Sequence, residues 1–167
     1  MKIKTSKITL NLWFNHQAEE AARYYVSIFP DSAIGRITRY GKGANESHGI
    51  PEDAVMTVEY ELDGQPFVAL NGGPQFQFTE AISFIVHCET QEELDYYWEK
   101  LTVGGDEKAQ VCGWLKDKYG VSWQVIPAAL TEMICDPDPE KAGRVMQAIR
   151  QTKAKIDFQT LLDAYEG

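Results

Sequence analysis

The sequence is poor in cysteine and histidine, short of positive charge, and free of long apolar runs. Its 167 residues include three cysteines and three histidines, and 16 Lys and Arg stand against 25 Asp and Glu, a net charge of −9. Nucleic-acid phosphates and anionic membrane surfaces attract clustered cations, so we expect neither as a partner. No apolar run approaches the roughly 18 residues of a membrane span, and the N-terminus lacks the apolar segment of a secretory signal.

The few cysteines indicate a reducing compartment. Cys88, Cys112 and Cys135 are odd in number and widely spaced, and no CxxC pair occurs. We therefore expect free thiols and a cytoplasmic location. Hydrophobic residues make up 44% of the chain and charged residues 25%, which is typical of a globular protein with a core of its own.

A pattern of strand, helix and further strands occurs twice along the chain. Residues 8–14 and 81–88 are strand-like, and each run precedes a helical stretch, at residues 17–29 and 90–102. The Glu-Glu pairs of the two helices begin at Glu19 and Glu92, 73 positions apart. The sequence predicts an α+β fold of two tandem βαβββ modules, about residues 8–75 and 80–127. Helices at about 128–167 follow, and no flexible linker divides this single domain, residues 1–167.

Side chains that cap helices mark where several of these helices begin. Asn15 is the predicted cap of the first helix, and Thr90 with Glu93 forms a predicted capping box at the second. Asp138, followed by proline, and Asp157 are the predicted caps of two C-terminal helices.

Several long motifs follow one another along the chain, at residues 12–14, 18–22, 29–32, 62–67, 70–74, 78–84, 112–127 and 136–142. In sequence and order they resemble the PhnB-like branch of the glyoxalase/bleomycin-resistance/extradiol-dioxygenase superfamily, also called vicinal oxygen chelate proteins. This resemblance implies paired βαβββ modules whose curved sheets enclose a cavity, usually in a homodimer. Many members of this branch carry the name demethylubiquinone 3-methyltransferase.

Metal-binding members of that superfamily take His and Glu ligands from the first and last strand of each module. The 73-residue repeat and the hairpins place Leu10, Val68, Ser83 and Gln124 at these positions, and one residue of slippage would bring in Asn11 or Ala69. Leu and Val cannot ligate a metal, and Ser and Gln bind divalent ions weakly without a carboxylate. We therefore predict no metal. We also predict no cofactor, since neither glycine pair of the chain opens a helix, as a nucleotide site would require.

Several residues are candidates for a ligand site. Ser83 and His87 share a strand face, so His87 is the candidate catalytic acid/base, although a strand-end histidine bonded to backbone fits the same position. Aromatic and amide side chains suit the walls and anchors of a small-molecule cavity, or equally a core or dimer interface. The predicted ligand-binding residues are Trp13, Asn71, Ser83, Trp114 and Gln124. The glycine-rich residues 41–53 form a candidate lid, or equally a disordered tip or an arm toward a partner subunit.

Three functions fit these observations. The first is metal-independent binding of an unidentified small molecule by a homodimer. The second is an enzyme, either the methyltransferase of the family name or a lyase or isomerase acting on a small carbonyl compound. The third is a dimerisation module whose interior is filled by side chains.

Overall fold

The computed structural model describes residues 7–42 and 50–167, which form two compact units that divide between Gln77 and Phe78. Most of the candidate lid, residues 41–53, lies outside the described residues. No helix of the described part is long and apolar enough to cross a membrane. The strands are β1 (Leu10–Phe14), β2 (Ala33–Arg39), β3 (Val55–Leu62), β4 (Gln65–Asn71), β5 (Phe84–Cys88), β6 (Trp114–Lys116) and β7 (Ser122–Pro127). The α-helices are α1 (Ala18–Ile28), α2 (Gln91–Thr102), α3 (Leu130–Ile134), α4 (Pro139–Gln151) and α5 (Phe158–Glu166).

The first unit is a four-stranded sheet in the order β1-β4-β3-β2. The alternation of β3 sends Val58, Tyr60 and Leu62 to a buried face, where α1 also packs. Asp63 and Gly64 turn β3 back into β4, both with positive φ, as a two-residue hairpin requires. Within the described residues of this unit, no helix packs on the other face of the sheet.

The second unit is a three-stranded sheet in the order β5-β7-β6, with α2 packed on one face. The α+β class predicted from the sequence is confirmed. The second module differs from the first, because a 3₁₀ turn at Glu107–Ala109, and not a strand, lies between α2 and β6 within this described unit. The second repeat is therefore βαββ.

The repeat distance differs between helices and strands. Leu10 pairs with Phe67 in the first sheet, and Phe84 pairs with Trp123 in the second. The amide of Gly72, which follows β4, donates to Phe14 O, and the amide of Ala128, which follows β7, donates to Cys88 O. Phe14 and Cys88 are thus equivalent and lie 74 positions apart, because the connection from β5 to α2 is one residue shorter. The predicted strand equivalence at 73 positions is wrong by one residue.

The helix caps agree with the sequence at three of four predicted places. Thr90 accepts a hydrogen bond from Glu93 N, Asp138 from Glu140 N, and Asp157 from Thr160 N. The reciprocal Glu93 carboxylate accepts from Glu89 N rather than from Thr90. The predicted cap Asn15 is wrong: α1 begins after Gln17, which makes no side-chain cap bond.

The C-terminal helices are joined to the second unit by the segment between α4 and α5. The amides of Cys112 and Gly113 donate to the carbonyls of Thr152 and Ala154 at 3.1 and 2.8 Å. Gln91, the first residue of α2, donates to Ile156 O and accepts from Phe158 N. Hydrogen bonds to backbone groups thus hold this extended segment at both of its ends.

Candidate functional site

The face of the first sheet opposite α1 carries a mixture of polar and apolar side chains. Arg36 donates to the Glu59 carboxylate at 2.5 Å, and the Thr38 and Thr57 hydroxyls are hydrogen-bonded at 2.6 Å. Strand register places Val68 opposite Glu59 on the same face. These polar groups pair with one another, so the face is a satisfied surface of the first unit.

Trp13, a predicted ligand-binding residue, supports the turn after β4. Its Nε1 donates to Gly73 O at 2.9 Å, and its ring contacts the edge of Phe76 at 5.0 Å between centroids. A Cβ at Gly72 would lie 2.2 Å from the Trp13 ring, so only glycine fits there. The packing explains both the tryptophan and the glycine, and the predicted ligand contact of Trp13 stays a prediction.

Asn71, also predicted to bind ligand, lies on the opposite, α1-facing side and is 9% exposed. Its Oδ1 accepts from Ala18 N at 2.8 Å, and its Nδ2 donates to Val55 O at 3.0 Å. Its carbonyl accepts from the Tyr40 hydroxyl. Asn71 thus caps α1 from a distant strand and performs the role predicted for Asn15, which leaves no support in this geometry for a ligand contact.

The second sheet presents an open face opposite α2, on which two predicted ligand-binding residues meet. Gln124 Nε2 donates to Ser83 Oγ at 2.9 Å, and both side chains are half-buried. Ile85, the register partner of Gln124, is 49% exposed on the same face. Polar anchors and exposed apolar surface therefore lie side by side.

Trp114 and Lys116 of β6 extend this open face. Trp114 is the register partner of Gln124, and Lys116 is that of Ser122. Lys116 Nζ forms an ion pair with the Glu80 carboxylate. That exposed ion pair lowers the pKa of Glu80, chiefly through the hydrogen bond from Lys116. We call Ser83, Ile85, Trp114, Lys116, Ser122 and Gln124 the open-face set.

His87 is exposed on the same face but stands apart from these groups. It pairs with Ile126, two positions beyond the row that joins Ile85 and Gln124, a distance of roughly 7 Å along the strand. Ser83 is four positions away, roughly 13 Å. The structure therefore does not join His87 to Ser83 or Gln124, and its catalytic role stays a prediction.

Asp117, which the sequence analysis did not single out, organises the β6–β7 connection. It is 3% exposed; its Oδ1 accepts from Tyr119 N and Val121 N at 2.8 and 3.0 Å, and its Oδ2 accepts from Trp123 Nε1 at 2.8 Å. The signal in the sequence was an Asp three residues before Gly120, a usual pattern at a tight turn. Asp117 fixes the strands that carry the open-face set.

Comparisons with known proteins identify the family. The model of the 3-demethylubiquinone-9 3-methyltransferase family matches residues 6–126. A PhnB protein from Bacillus cereus, described as a putative 3-demethylubiquinone-9 3-methyltransferase, is 38% identical to this chain. The match covers 71% of this chain and 97% of that one, with a TM-score of 0.62. The chain belongs to this PhnB-like family. The resemblance seen in the sequence motifs is thereby confirmed.

Other solved structures share less with this PhnB-like chain. Protein PA1353 from Pseudomonas aeruginosa is 17% identical over 71% of this chain and 95% of that one, with a TM-score of 0.55, and so shares the fold. A glyoxylase/bleomycin resistance protein/dioxygenase domain from Frankia sp. EAN1pec is 16% identical over 72% of this chain and 90% of that one, with a TM-score of 0.41. The search of curated proteins found no match.

The residues of this PhnB-like chain do not fit the metal site that the sequence resemblance implies. The corrected register puts Asn11, Val68, Ile85 and Gln124 on the open faces at the four ligand positions, in place of the predicted Leu10 and Ser83. Two of the four are aliphatic and none is ionisable. Within residues 7–42 and 50–167, no three His, Cys, Asp or Glu side chains cluster as metal ligands would.

A methyl-donor nucleotide at a helix N-terminus does not fit either. The helices that follow β1 and β5 already use first-turn amides on Asn71 and Thr90. The glycine pairs serve packing: Gly72 lies under Trp13, and a Cβ at Gly105 would lie 2.3 Å from Lys116 O. The two features that usually form such a site therefore serve the fold.

Proposed function

We propose that this PhnB-like protein binds a small molecule on the open face of its second sheet, without a metal. The observation that carries the proposal is the Ser83–Gln124 pair, a polar anchor bonded at 2.9 Å beside Trp114 and the exposed Ile85. A few polar groups set among apolar and aromatic surface are typical of small-molecule sites. Gln124 stands at a superfamily ligand position, where an amide supplies hydrogen bonds in place of metal coordination.

A thermal-shift screen against aromatic, cationic and acidic metabolites tests this proposal. We expect at least one compound to raise the melting temperature of the natural protein and to lose that effect in Gln124→Leu. Gln65→Leu, an equal change at an exposed position of β4 in the first unit, is the control and keeps the shift. A broad library without a stabilising compound, or a shift that Gln124→Leu leaves intact, contradicts the proposal.

The second candidate is an enzyme, favoured by the family name: a methyltransferase, or a lyase or isomerase acting on a small carbonyl compound. His87 is exposed on the open face and has a side chain capable of acid/base chemistry. Isothermal titration with S-adenosylmethionine tests the methyltransferase form. For either enzyme, His87→Ala abolishes turnover while circular dichroism shows the fold retained, and unchanged turnover removes His87 from the mechanism.

We also propose that the protein acts as a cytoplasmic homodimer. β1 and β5 each lie at an edge of their sheet, and apolar side chains at or beside them are exposed: Ile8 by 81%, Ile82 by 73% and Leu10 by 39%. Exposed apolar edge strands favour association with another chain. Light scattering should give twice the 18.9 kDa of the chain, and Ile82→Lys should weaken the dimer. A monomer in the natural protein contradicts this assembly.

A further inference from the structure

One end of the open face in the second unit is buried, and it contains a hydroxyl that makes no hydrogen bond within the described residues. Ser122 is 2% exposed, and its Oγ has no hydrogen-bond partner among the described residues. A buried hydroxyl normally has a partner, because leaving it unpaired costs free energy. Strand alternation from Gln124 directs the Ser122 side chain to the open face. The position therefore suits a ligand atom that accepts a hydrogen bond.

Two further hydrogen-bond donors lie beside Ser122 in the strand register. Lys116 is its register partner on β6, so their side chains are neighbours on one face. Ser83 directly precedes the pair of Phe84 with Trp123, which places it beside Ser122 on the other side. Because Ser83 Oγ accepts from Gln124, its own hydrogen points elsewhere and is available to donate. An ammonium and two hydroxyls thus form a row of donors.

Lys116, one member of this row, already binds a carboxylate that belongs to the chain itself. The Glu80 carboxylate forms the ion pair with Lys116, and the Glu80 side chain is 62% exposed while that of Lys116 is 23% exposed. An exposed ion pair is worth little free energy, so an external carboxylate can exchange with Glu80 at small cost. Trp114 and the half-exposed Ile85 lie in the next row and offer an apolar surface for the rest of such a ligand.

We propose that Lys116, Ser122 and Ser83 form a carboxylate-binding subsite for a small aromatic or aliphatic acid, with Glu80 as the intramolecular competitor. The ligand carboxylate replaces that of Glu80 on Lys116 and accepts hydrogen bonds from the two serine hydroxyls. Its apolar body lies against Trp114 and Ile85. This inference rests on the proposed function, since it assigns a ligand class to the same open face.

If Glu80 competes with the ligand, removing its carboxylate should tighten ligand binding, an effect that a purely structural ion pair would not produce. Benzoate and its neutral isostere benzamide are titrated by isothermal calorimetry against the natural protein, with phenylacetate and 3-phenylpropionate as larger acids. We expect benzoate to bind at least tenfold more tightly than benzamide. Glu80→Gln should bind benzoate several-fold more tightly, because the competing carboxylate is gone and its side chain is exposed enough to change without unfolding.

Lys116→Met should weaken benzoate binding at least tenfold, and Ser122→Ala several-fold. Lys100→Met, which makes the same charge change at an exposed position of α2, should leave it unchanged. Equal affinity for benzoate and benzamide, or affinities untouched by Lys116→Met and Glu80→Gln, overturns the subsite. If Gln124→Leu still abolishes binding in that case, open-face binding survives while the carboxylate subsite falls. Failure of all three acids to bind at millimolar concentration also overturns the subsite.

Discussion

Replacing Asn71 tests whether this residue is a structural clamp of the first unit. Its amide joins α1 to the middle of the sheet through bonds to Ala18 N and Val55 O, at 2.8 and 3.0 Å. Asn71→Ala removes both bonds and leaves an amide with no acceptor at Ala18, a fully buried residue. A hydrogen bond contributes about 1 kcal/mol and an orphaned buried group costs about 1–3 kcal/mol. The expected loss of unfolding free energy is therefore about 2–4 kcal/mol.

Two further variants separate the contributions of the Asn71 amide. Asn71→Asp keeps an oxygen for Ala18 N, where negative charge at a helix N-terminus is favourable, but loses the donor to Val55 O. We expect it to fall between the natural protein and Asn71→Ala. Asn15→Ala is the matched control, because Asn15 is exposed and α1 makes no cap bond with a neighbouring side chain. That variant should change stability by less than about 0.5 kcal/mol.

Urea denaturation followed by circular dichroism measures these differences directly. Trp13 fluorescence reports the first unit once Trp98, Trp114 and Trp123 are replaced by Phe in the background. The clamp is refuted if Asn71→Ala costs less than about 0.5 kcal/mol. It is equally refuted if Asn15→Ala costs as much as Asn71→Ala, since that result would restore the local cap predicted from the sequence.

Three other predictions follow from single interactions. Asp117→Asn should lower stability by about 2–4 kcal/mol in urea denaturation, because one amide oxygen cannot replace a carboxylate that accepts three N–H groups; a loss below about 1 kcal/mol contradicts this role. Burial raises the pKa of Cys88 to about 12, so mass spectrometry after iodoacetamide at pH 8 should find Cys135 modified and Cys88 intact, and early Cys88 modification contradicts its burial. The pKa values of Asp95, Asp136 and Asp157 are lowered, mainly by hydrogen bonds from Lys155, Tyr165 and Thr160 N. Their stabilisation is therefore present above about pH 4 and lost as the pH falls through the lowered values. The protection of amides in α4 and α5 from hydrogen exchange, corrected for the intrinsic exchange rate at each pH, should fall below about pH 4. In Asp157→Asn that fall should be smaller.

The sequence predicted well wherever one segment determines its own structure. Thr90, Asp138 and Asp157 cap the helices they precede, as predicted. Such features depend on neighbours within four residues, which a sequence displays directly. The C-terminal helices were predicted in the same way, although they lie beyond residue 126, where the family match ends.

Prediction failed where the deciding partner is distant in the chain. The first amide of α1, Ala18 N, donates to the side chain of Asn71, which is 53 positions away. No sequence pattern around Asn15 reveals that this distant side chain, and not Asn15, is the acceptor. The strand equivalence failed for a related reason. A one-residue difference in the connection to the helix leaves the helical repeat at 73 positions and moves the strand repeat to 74, and only hydrogen-bond register distinguishes the two.

That single residue also changes which side chains reach the open faces. At 73 positions Leu10 corresponds to Ser83, whereas at 74 Asn11 corresponds to Ile85; alternation sends Leu10 and Asn11 to opposite faces of β1, while Ser83 and Ile85 share one face. The prediction that the metal positions lack strong ligands does not depend on this choice, because neither set contains a carboxylate or an imidazole. The position assigned to Ser83 does depend on the choice of repeat distance. Ser83 and Gln124 nevertheless both lie on the open face, so this hydrogen-bonded pair is the part of the candidate site that a sequence could find.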